Sequence, residues 1–188
     1  MKTHNIIISG FGGQGIVAAG RLIAFAGMTD GKKVSMLPSY GPEMRGGFAN
    51  CHVIISDAEI ASPIVSQADI VIAMSVPALN KFLPAVKKGG VLIVDSHQIT
   101  HSDYRDDICI IKIPATKIAM DKSNVKMSNM VMIGAMISAI NSPSLNSMAL
   151  SIKDLLPQHM QYLFDIEMEM LEAGMAFEVN TNVMERLS

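Results

Sequence analysis

Short apolar runs that stop at glycine, proline or serine recur through most of the chain. Residues 5–9 form a β-branched run that ends at glycines, as buried parallel strands do. Similar runs follow at intervals that leave room for helices or tight loops between them. The pattern predicts strands at 5–9, 33–37, 49–56, 70–74, 91–94 and 108–113.

Helical periodicity appears between these runs and takes over beyond Pro114. Apolar residues recur at helical spacing from Gly13 to the turn at Asp30-Gly31, and Pro77 starts a short helical segment. The later segments are predicted at 115–120, in a long apolar helix capped by Ser128, at 151–156 and at 158–173. Strands alternating with helices favour a three-layer α/β/α, Rossmann-like fold with a mainly parallel sheet. We expect one domain over 1–188, since this length is usual for one.

Composition points to a partner protein. Apolar residues make up 49% of the chain and charged residues 17%, against about 25% charged in typical soluble proteins. The 16 methionines suit adaptable binding surfaces, although a compositional bias of the genome would explain both values equally well. The formal net charge of −2 and the lack of a Lys/Arg cluster argue against nucleic acid or an acidic membrane as a partner.

The cellular setting is predicted as cytoplasmic. The two cysteines lie far apart, without the Cys-x-x-Cys spacing of cluster ligands, and no leader is apparent before the first strand. The longest apolar run, 130–140, is far shorter than the ~20 residues of a membrane span. We interpret this run as a buried helix.

The glycine loop after the first strand carries the clearest motif. Gly10, Gly12 and Gly15 fit G-x-G-x-x-G between a strand and a helix, where glycines let a phosphate approach the backbone. A classical NAD site also needs an acid at the end of strand two, but 34–39 contains none, and Asp30 precedes the strand. A purely structural role, in which the glycines only permit tight helix–strand packing, stays open.

A second glycine-rich stretch, 39–47, follows strand two and is expected beside the first loop. Its Arg45, flanked by glycines, has the planar fork that binds a carboxylate or a phosphate. A tight Gly-Pro turn with a solvated arginine is the simpler alternative.

Other polar candidates are weaker. His97 and His101 have i, i+4 spacing but no third ligand, so a solvated loop is the better interpretation. Asp95 suits a turn or cap, and Asn129, just inside the long apolar helix, would reach a ligand or assist capping. The sequence has no nucleophile elbow, no Walker lysine and no pairing of base and nucleophile, so we expect no catalytic residue and no metal site in this chain.

Several collinear motifs together resemble the gamma subunit of 2-oxoacid:ferredoxin oxidoreductases, in the pyruvate:ferredoxin oxidoreductase superfamily. The string Tyr-Gly-Pro-Glu-x-Arg-Gly-Gly is the most specific of them, and this version is most similar to the 2-oxoglutarate and 2-ketoisovalerate types. The resemblance rests on Gly10–Gly15, Pro38–Gly47, Val53–Asp57, Ile113–Thr116 and Ser128–Val131.

The resemblance implies a subunit, inactive alone, of an enzyme of class EC 1.2.7.- that converts a 2-oxoacid to acyl-CoA and reduces ferredoxin. It implies alpha and beta subunits and a ferredoxin-like delta subunit as partners, and these would hold thiamine diphosphate, magnesium and [4Fe-4S] clusters. The gamma domain would help to enclose coenzyme A (CoA). By position, the residues facing CoA would be Gly10, Gly12, Gly13, Gln14, Gly15, Tyr40, Glu43, Arg45 and Asn129. The alternatives are a stand-alone dinucleotide-binding oxidoreductase and a purely structural subunit.

Overall fold

The fold is built on a six-stranded mixed sheet with the order β2-β3-β1-β4-β5-β6. The computed structural model describes residues 2–41, 47–100, 103–122 and 124–177. Each of the apolar runs predicted as a strand forms one. The strands are β1 (Thr3–Phe11), β2 (Lys33–Tyr40), β3 (Phe48–Ser56), β4 (Ala68–Ala73), β5 (Val86–Asp95) and β6 (Cys109–Ile113).

The sheet is mainly parallel, as predicted, and only β3 runs against the other strands. It pairs antiparallel with both β1 and β2, whereas β1, β4, β5 and β6 pair parallel in turn. The connection from β2 to β3 has only the seven residues 41–47, too few for a parallel crossover, so β3 returns antiparallel. The carboxyl ends of β1, β2, β4, β5 and β6 therefore meet at one edge of the sheet.

The helices agree with the predicted pattern in number and type, and differ at some ends. The helices are α1 (Ile16–Thr29), α2 (Val76–Phe82), α3 (Ala115–Asp121), α4 (Ser128–Ile140), α5 (Leu145–Leu155) and α6 (Phe164–Met175). The prediction that Ser128 caps the apolar helix is wrong, because Met127 is the N-cap and offers no side-chain acceptor. Helix α5 begins at Leu145, earlier than predicted, and a 3₁₀ turn over Gln158–Leu163 precedes α6.

Each face of the sheet has its own apolar core, which confirms the three-layer α/β/α architecture. One core joins Ile6, Ile8 and Val53 to α1, α3 and α4, with α5 and α6 packed outside them. The other core lies under α2 and is completed by irregular segments that supply Val65 and Ile99. Helix α4 is buried on nearly every side, as its apolar sequence indicates. None of the helices in the described ranges has the length and hydropathy that a membrane crossing needs.

Candidate functional site

The glycine loop between β1 and α1 is held closed by the side chain of Gln14. Its Oε1 accepts a hydrogen bond from the Phe11 N–H at 2.6 Å, and its Nε2 donates to the Met74 carbonyl at 3.0 Å. Met74 follows β4, and its N–H donates to the Ser9 carbonyl at 2.9 Å. One glutamine side chain therefore links the loops that follow two neighbouring parallel strands.

Two glycines of the loop have left-handed backbones, for different reasons. Gly15, the N-cap of α1, has φ 72°, and a Cβ there would lie 2.5 Å from Nδ2 of Asn129. Nδ2 of Asn129 donates to the Gly15 carbonyl at 3.3 Å, so the starts of α1 and α4 touch. Gly13 has φ +98°, and a Cβ there would have no described atom within 4 Å. Gly15 thus serves packing, whereas none of the described residues would contact a side chain at Gly13.

Gly47, the last residue of the stretch after β2, lies beside the glycine loop, as predicted for that stretch. The Gly12 N–H donates to the Gly47 carbonyl at 2.7 Å. Tyr40, at the end of β2, is 68% exposed. Ala49 of β3 pairs with Tyr40 on one side and with Gly10 on the other. Tyr40 and Gly10 are therefore separated by two strand spacings, about 10 Å. Glu43 and Arg45 lie outside the described residues.

Asp95 and His97 are placed as the simpler interpretations predict. Asp95 is fully buried, and its carboxylate accepts from the N–H groups of His97 and Thr116, which fixes the start of α3 to the end of β5. The His97 side chain is exposed, and His101 lies outside the described residues.

Asp30, the acid nearest to β2, is engaged elsewhere. Its carboxylate accepts hydrogen bonds from the N–H and Oγ of Ser144, both at 2.7 Å, and from Oγ of Ser147 at 2.6 Å. It lies at the amino end of β2, away from the glycine loop, and binds the start of α5. Within the described residues, β2 itself has no acid at its carboxyl end for ribose hydroxyls.

A groove of about 570 Å³ opens next to the glycine loop, and motif reasoning missed it. Gly15 and Asn129 line one end, and Arg21 and Lys126 are exposed cations along it. We call it the α1–α4 groove. Its lining residues are Gly15, Ala18, Ala19, Arg21, Leu22, Asn124, Lys126, Met127, Asn129, Met130, Ile152, Leu155, Leu156, Met160, Tyr162, Leu163 and Glu167. One feature of the sequence could have indicated this groove: Arg21 is the only charged residue of α1.

Titratable groups around the groove are few. Burial raises the pKa of Glu167, which favours the neutral carboxyl form relative to a solvated glutamate. Across the described part of the chain, no three His, Cys, Asp or Glu side chains form a group that would hold a metal ion.

Sequence comparison places the chain among known enzyme subunits. The family model for pyruvate ferredoxin/flavodoxin oxidoreductase matches residues 5–177. The chain is 38% identical to the 2-oxoglutarate synthase subunit KorC of Methanothermobacter thermautotrophicus, over 81% of this chain and 84% of KorC. It is 33% identical to the ketoisovalerate oxidoreductase subunit VorA of Methanothermobacter marburgensis, over 89% of this chain but only 35% of VorA.

Solved structures agree with this fold. The keto/oxoacid ferredoxin oxidoreductase gamma subunit of Geobacter sulfurreducens superposes with a TM-score of 0.78 at 28% identity, over 98% of each chain. A 2-oxoglutarate:ferredoxin oxidoreductase from Magnetococcus marinus, solved with 2-oxoglutarate, CoA and succinyl-CoA bound, gives a TM-score of 0.85 at 21% identity. The match covers 100% of this chain and 32% of that one. The chain therefore belongs to the pyruvate ferredoxin/flavodoxin oxidoreductase family and is a gamma subunit of a multi-subunit 2-oxoacid:ferredoxin oxidoreductase.

Proposed function

We propose that this gamma subunit, acting as one domain over 1–188, forms one wall of the CoA site of its complex. The wall would consist of the glycine loop with Tyr40, Glu43, Arg45 and Asn129. The supporting observation is the loop itself: Gln14 fixes it through two hydrogen bonds, and a side chain at Gly13 would meet no described atom within 4 Å. The Magnetococcus enzyme, a fold relative, carries CoA in its solved complex.

The reaction we assign to the whole complex joins an acyl group to CoA. A 2-oxoacid anion and CoA thiol yield acyl-CoA, carbon dioxide and one proton, and the two electrons released reduce two molecules of one-electron ferredoxin. The alpha, beta and delta subunits would hold thiamine diphosphate with magnesium and the [4Fe-4S] clusters. These cofactors would supply the carbanion and electron-transfer chemistry. The residues of this chain would bind and orient CoA and exclude water, with no proton transfer of their own.

The partner that packs against this chain is suggested by its longer relatives. The domain corresponds to 35% of VorA and 32% of the Magnetococcus chain, so in those proteins it is covalently joined to a larger remainder. We infer that a protein segment equivalent to that remainder covers the glycine-loop edge here. The exposed Phe11, Tyr40 and Val76 at that edge are suitable contacts.

A matched pair of glycine substitutions tests the CoA wall. Gly13 and Gly31 both have positive φ, and a Cβ at either site would meet no described atom within 4 Å. Asparagine tolerates such a backbone better than other residues do, so Gly13→Asn fills the open space at modest strain. In the assembled complex, Gly13→Asn should raise the KM for CoA about tenfold while the KM for the 2-oxoacid stays unchanged, because a side chain would occupy the ligand's place.

Gly31→Asn is the control, since Gly31 lies in the turn after α1 at the opposite edge of the sheet. It should leave both KM values at those of the wild type. Equal KM values for CoA in the wild type and in Gly13→Asn would refute the proposed wall and favour a purely structural subunit.

A further inference from the structure

A cavity opens at the amino ends of β1, β4 and β5, on the edge of the sheet opposite the glycine loop. It measures about 430 Å³, within the usual 300–1,000 Å³ of small-molecule sites. A smaller cavity of about 340 Å³ adjoins it, since Lys2, His4 and Asn141 line both. We call the two together the amino-edge cavity. The strand from His4 to Gly10 spans about 20 Å, so this cavity is separate from the glycine loop.

His4 is a buried polar side chain that faces the amino-edge cavity without a hydrogen-bond partner. It is 9% exposed and, by strand alternation, lies on the same sheet face as Ile6 and Ile8. Its ring forms no hydrogen bond with any described residue. Its nitrogens are nevertheless not sealed off, because Oγ of Ser151 is the only fully enclosed, unpartnered polar side-chain atom in the described ranges. The imidazole therefore has its hydrogen-bonding capacity available to a ligand in the cavity.

The carboxylates at the cavity are already occupied by protein donors. Asp69 accepts from the N–H and Nδ2 of Asn5, at 2.7 and 2.8 Å, and from Nζ of Lys87 at 2.6 Å. Asp57 accepts from Nζ of Lys32 at 2.6 Å and from a backbone N–H at 2.7 Å. The third acid of the lining is the one that holds the start of α5. These acids therefore have little capacity left for a further cation.

Two cations of the lining remain available. Lys2 and Lys88 are both exposed, and neither side chain forms an ion pair with a described carboxylate. Asn141, whose left-handed backbone (φ 51°) ends α4, adds a side-chain amide. Two ammonium groups, an amide and an imidazole around one cavity suit a phosphate or a carboxylate group.

The end of α4 contributes acceptors to the same cavity. Ala139 and Ile140 line it, and no described backbone N–H donates to their carbonyl groups. Carbonyls at the last turn of a helix need donors, and the helix dipole makes this end partly negative. A bare anion would leave them unsatisfied, whereas an anion that also carries hydroxyl groups would donate to them.

We propose that the amino-edge cavity binds a small organic anion that carries a phosphate or carboxylate group together with hydroxyl groups. The anionic group would lie between Lys2, Lys88 and the His4 ring, and a hydroxyl would donate to the carbonyl end of α4. The buried side chains of Ile70 and Val91 would contact its carbon atoms. The site is independent of the proposed CoA wall, because it lies at the opposite edge of the sheet.

Binding should strengthen in mild acid. Burial, reinforced by the Lys2 and Lys32 charges, keeps the pKa of His4 below 6.5, and the Asp69 and Asp57 charges oppose this only in part. An anion beside the ring stabilises the imidazolium, so it should raise this pKa. By linkage, the affinity for the anion should rise as the pH falls through the pKa of His4 in the bound protein.

Thermal melts and NMR of the full chain with three probes test the proposal. Glycerol 3-phosphate and glycerate are the anionic probes, and glycerol is the uncharged control. At least one anion should raise the Tm by about 4 °C at ten times its Kd, and glycerol should not. The same anion should raise the pKa of His4, measured from its ring-proton shifts, and leave that of His52 unchanged. If neither anion shifts the pKa of His4, the proposal is refuted.

Lys2→Ala and Lys88→Ala distinguish this site from the glycine loop. Each should raise the Kd of the anion about fivefold, since each removes a charged partner, and both side chains are exposed, so the variants should fold. Lys153→Ala is the matched control, because Lys153 is an exposed lysine of α5 outside the cavity. It should leave the Kd unchanged, as should Gly13→Asn. Anion binding that is weakened by Gly13→Asn and not by the lysine variants would contradict the proposal without affecting the CoA wall.

The assembled complex distinguishes a small molecule from an acidic side chain of a partner subunit. A site for a small molecule should bind the anion with similar Kd in the isolated chain and in the complex. Loss of binding on assembly would show that a partner covers the cavity, and it would overturn the proposal.

Discussion

Gly134 and Gly174 let helices α4 and α6 touch backbone to backbone. A Cβ on Gly134 would lie 2.0 Å from the Leu171 carbonyl oxygen, and one on Gly174 would lie 2.0 Å from the Val131 carbonyl oxygen. Backbone atoms cannot move aside as a flexible side chain can. This reciprocal contact explains how α4 becomes buried on its outer side as well as on the side that faces the sheet.

Gly134→Ala tests that contact, because helix propensity predicts a more stable protein and packing predicts a less stable one. Alanine in a helix is favoured over glycine by about 1 kcal/mol, whereas overpacking of this contact should cost about 2 kcal/mol or more. We expect net destabilisation, seen as a fall in Tm of several degrees in a thermal melt. Gly27→Ala is the control, since its Cβ would meet only side-chain atoms of Ile55 and Val34, at 3.1 Å. A Gly134→Ala protein that melts above the wild type would contradict the packing account.

The buried His4 should make the chain sensitive to mild acid. Burial, reinforced by the nearby Lys2 charge, lowers the pKa of His4 below its ordinary value of 6.5. The unfolded chain therefore binds more protons than the native one as pH falls below 6.5, so the free energy of unfolding must fall too. His52 adds to the effect, because burial and Lys81 lower its pKa as well.

Urea unfolding of the wild type and of His4→Gln between about pH 7.5 and 5.5 checks this effect. The free energy of unfolding of the variant should fall less across that range. It should still fall somewhat as the pH is lowered, because His52 remains. Parallel pH profiles for the two proteins would show that His4 does not titrate abnormally.

Helix α5 depends on Asp30 for its position. The Asp30 carboxylate receives hydrogen bonds from Ser144 and Ser147, while Oγ of Ser144 accepts from the Ser147 N–H at 3.2 Å. Burial alone would raise the pKa of Asp30, but the serine hydrogen bonds outweigh burial and lower it. The turn after α1 thus fixes the start of the helix that lies beside it.

Asp30→Asn should loosen α5 without unfolding the sheet. The substitution replaces a charged hydrogen-bond acceptor by a neutral amide, which should weaken the attachment of α5 by about 1–3 kcal/mol. Hydrogen exchange of peptides within Leu145–Leu155 should become faster, while exchange in β1 and β4 stays slow. Asp154→Asn, at an exposed site on the same helix, is the control and should leave exchange as in the wild type.

The strands were more predictable than the helix ends. Five of the strands contain a continuous apolar run, so burial marks them in the sequence, whereas β2, KVSMLPSY, is marked mainly by alternation and by Pro38. The start of α5 was misplaced because its cap is a serine pair that depends on Asp30, more than 110 residues earlier in the chain. The direction of β3 was foreseeable in principle, since only 41–47 separate it from β2 and a parallel crossover needs a dozen or more residues.

At the scale of the whole molecule, the glycine loop and the α1–α4 groove differ in how far sequence could reveal them. The glycine loop is contiguous in the sequence, and the spacing of its glycines forms a recognisable motif. The groove is assembled from α1, α4, α5 and α6, whose lining residues come from Gly15 to Glu167 and share no motif. Arg21 and Lys126 line the same groove only because the helices pack together, so the groove could not be predicted from the sequence.

Hydrogen exchange of the assembled complex, with and without CoA, tests the central claim most directly. If the gamma subunit forms a wall of the CoA site, CoA should slow exchange in peptides covering 10–19 and, because Asn129 belongs to the wall, in those covering 124–130. The 2-oxoacid alone should leave both segments unchanged. Protection that appears only in the other subunits, with none at 10–19, would contradict the account.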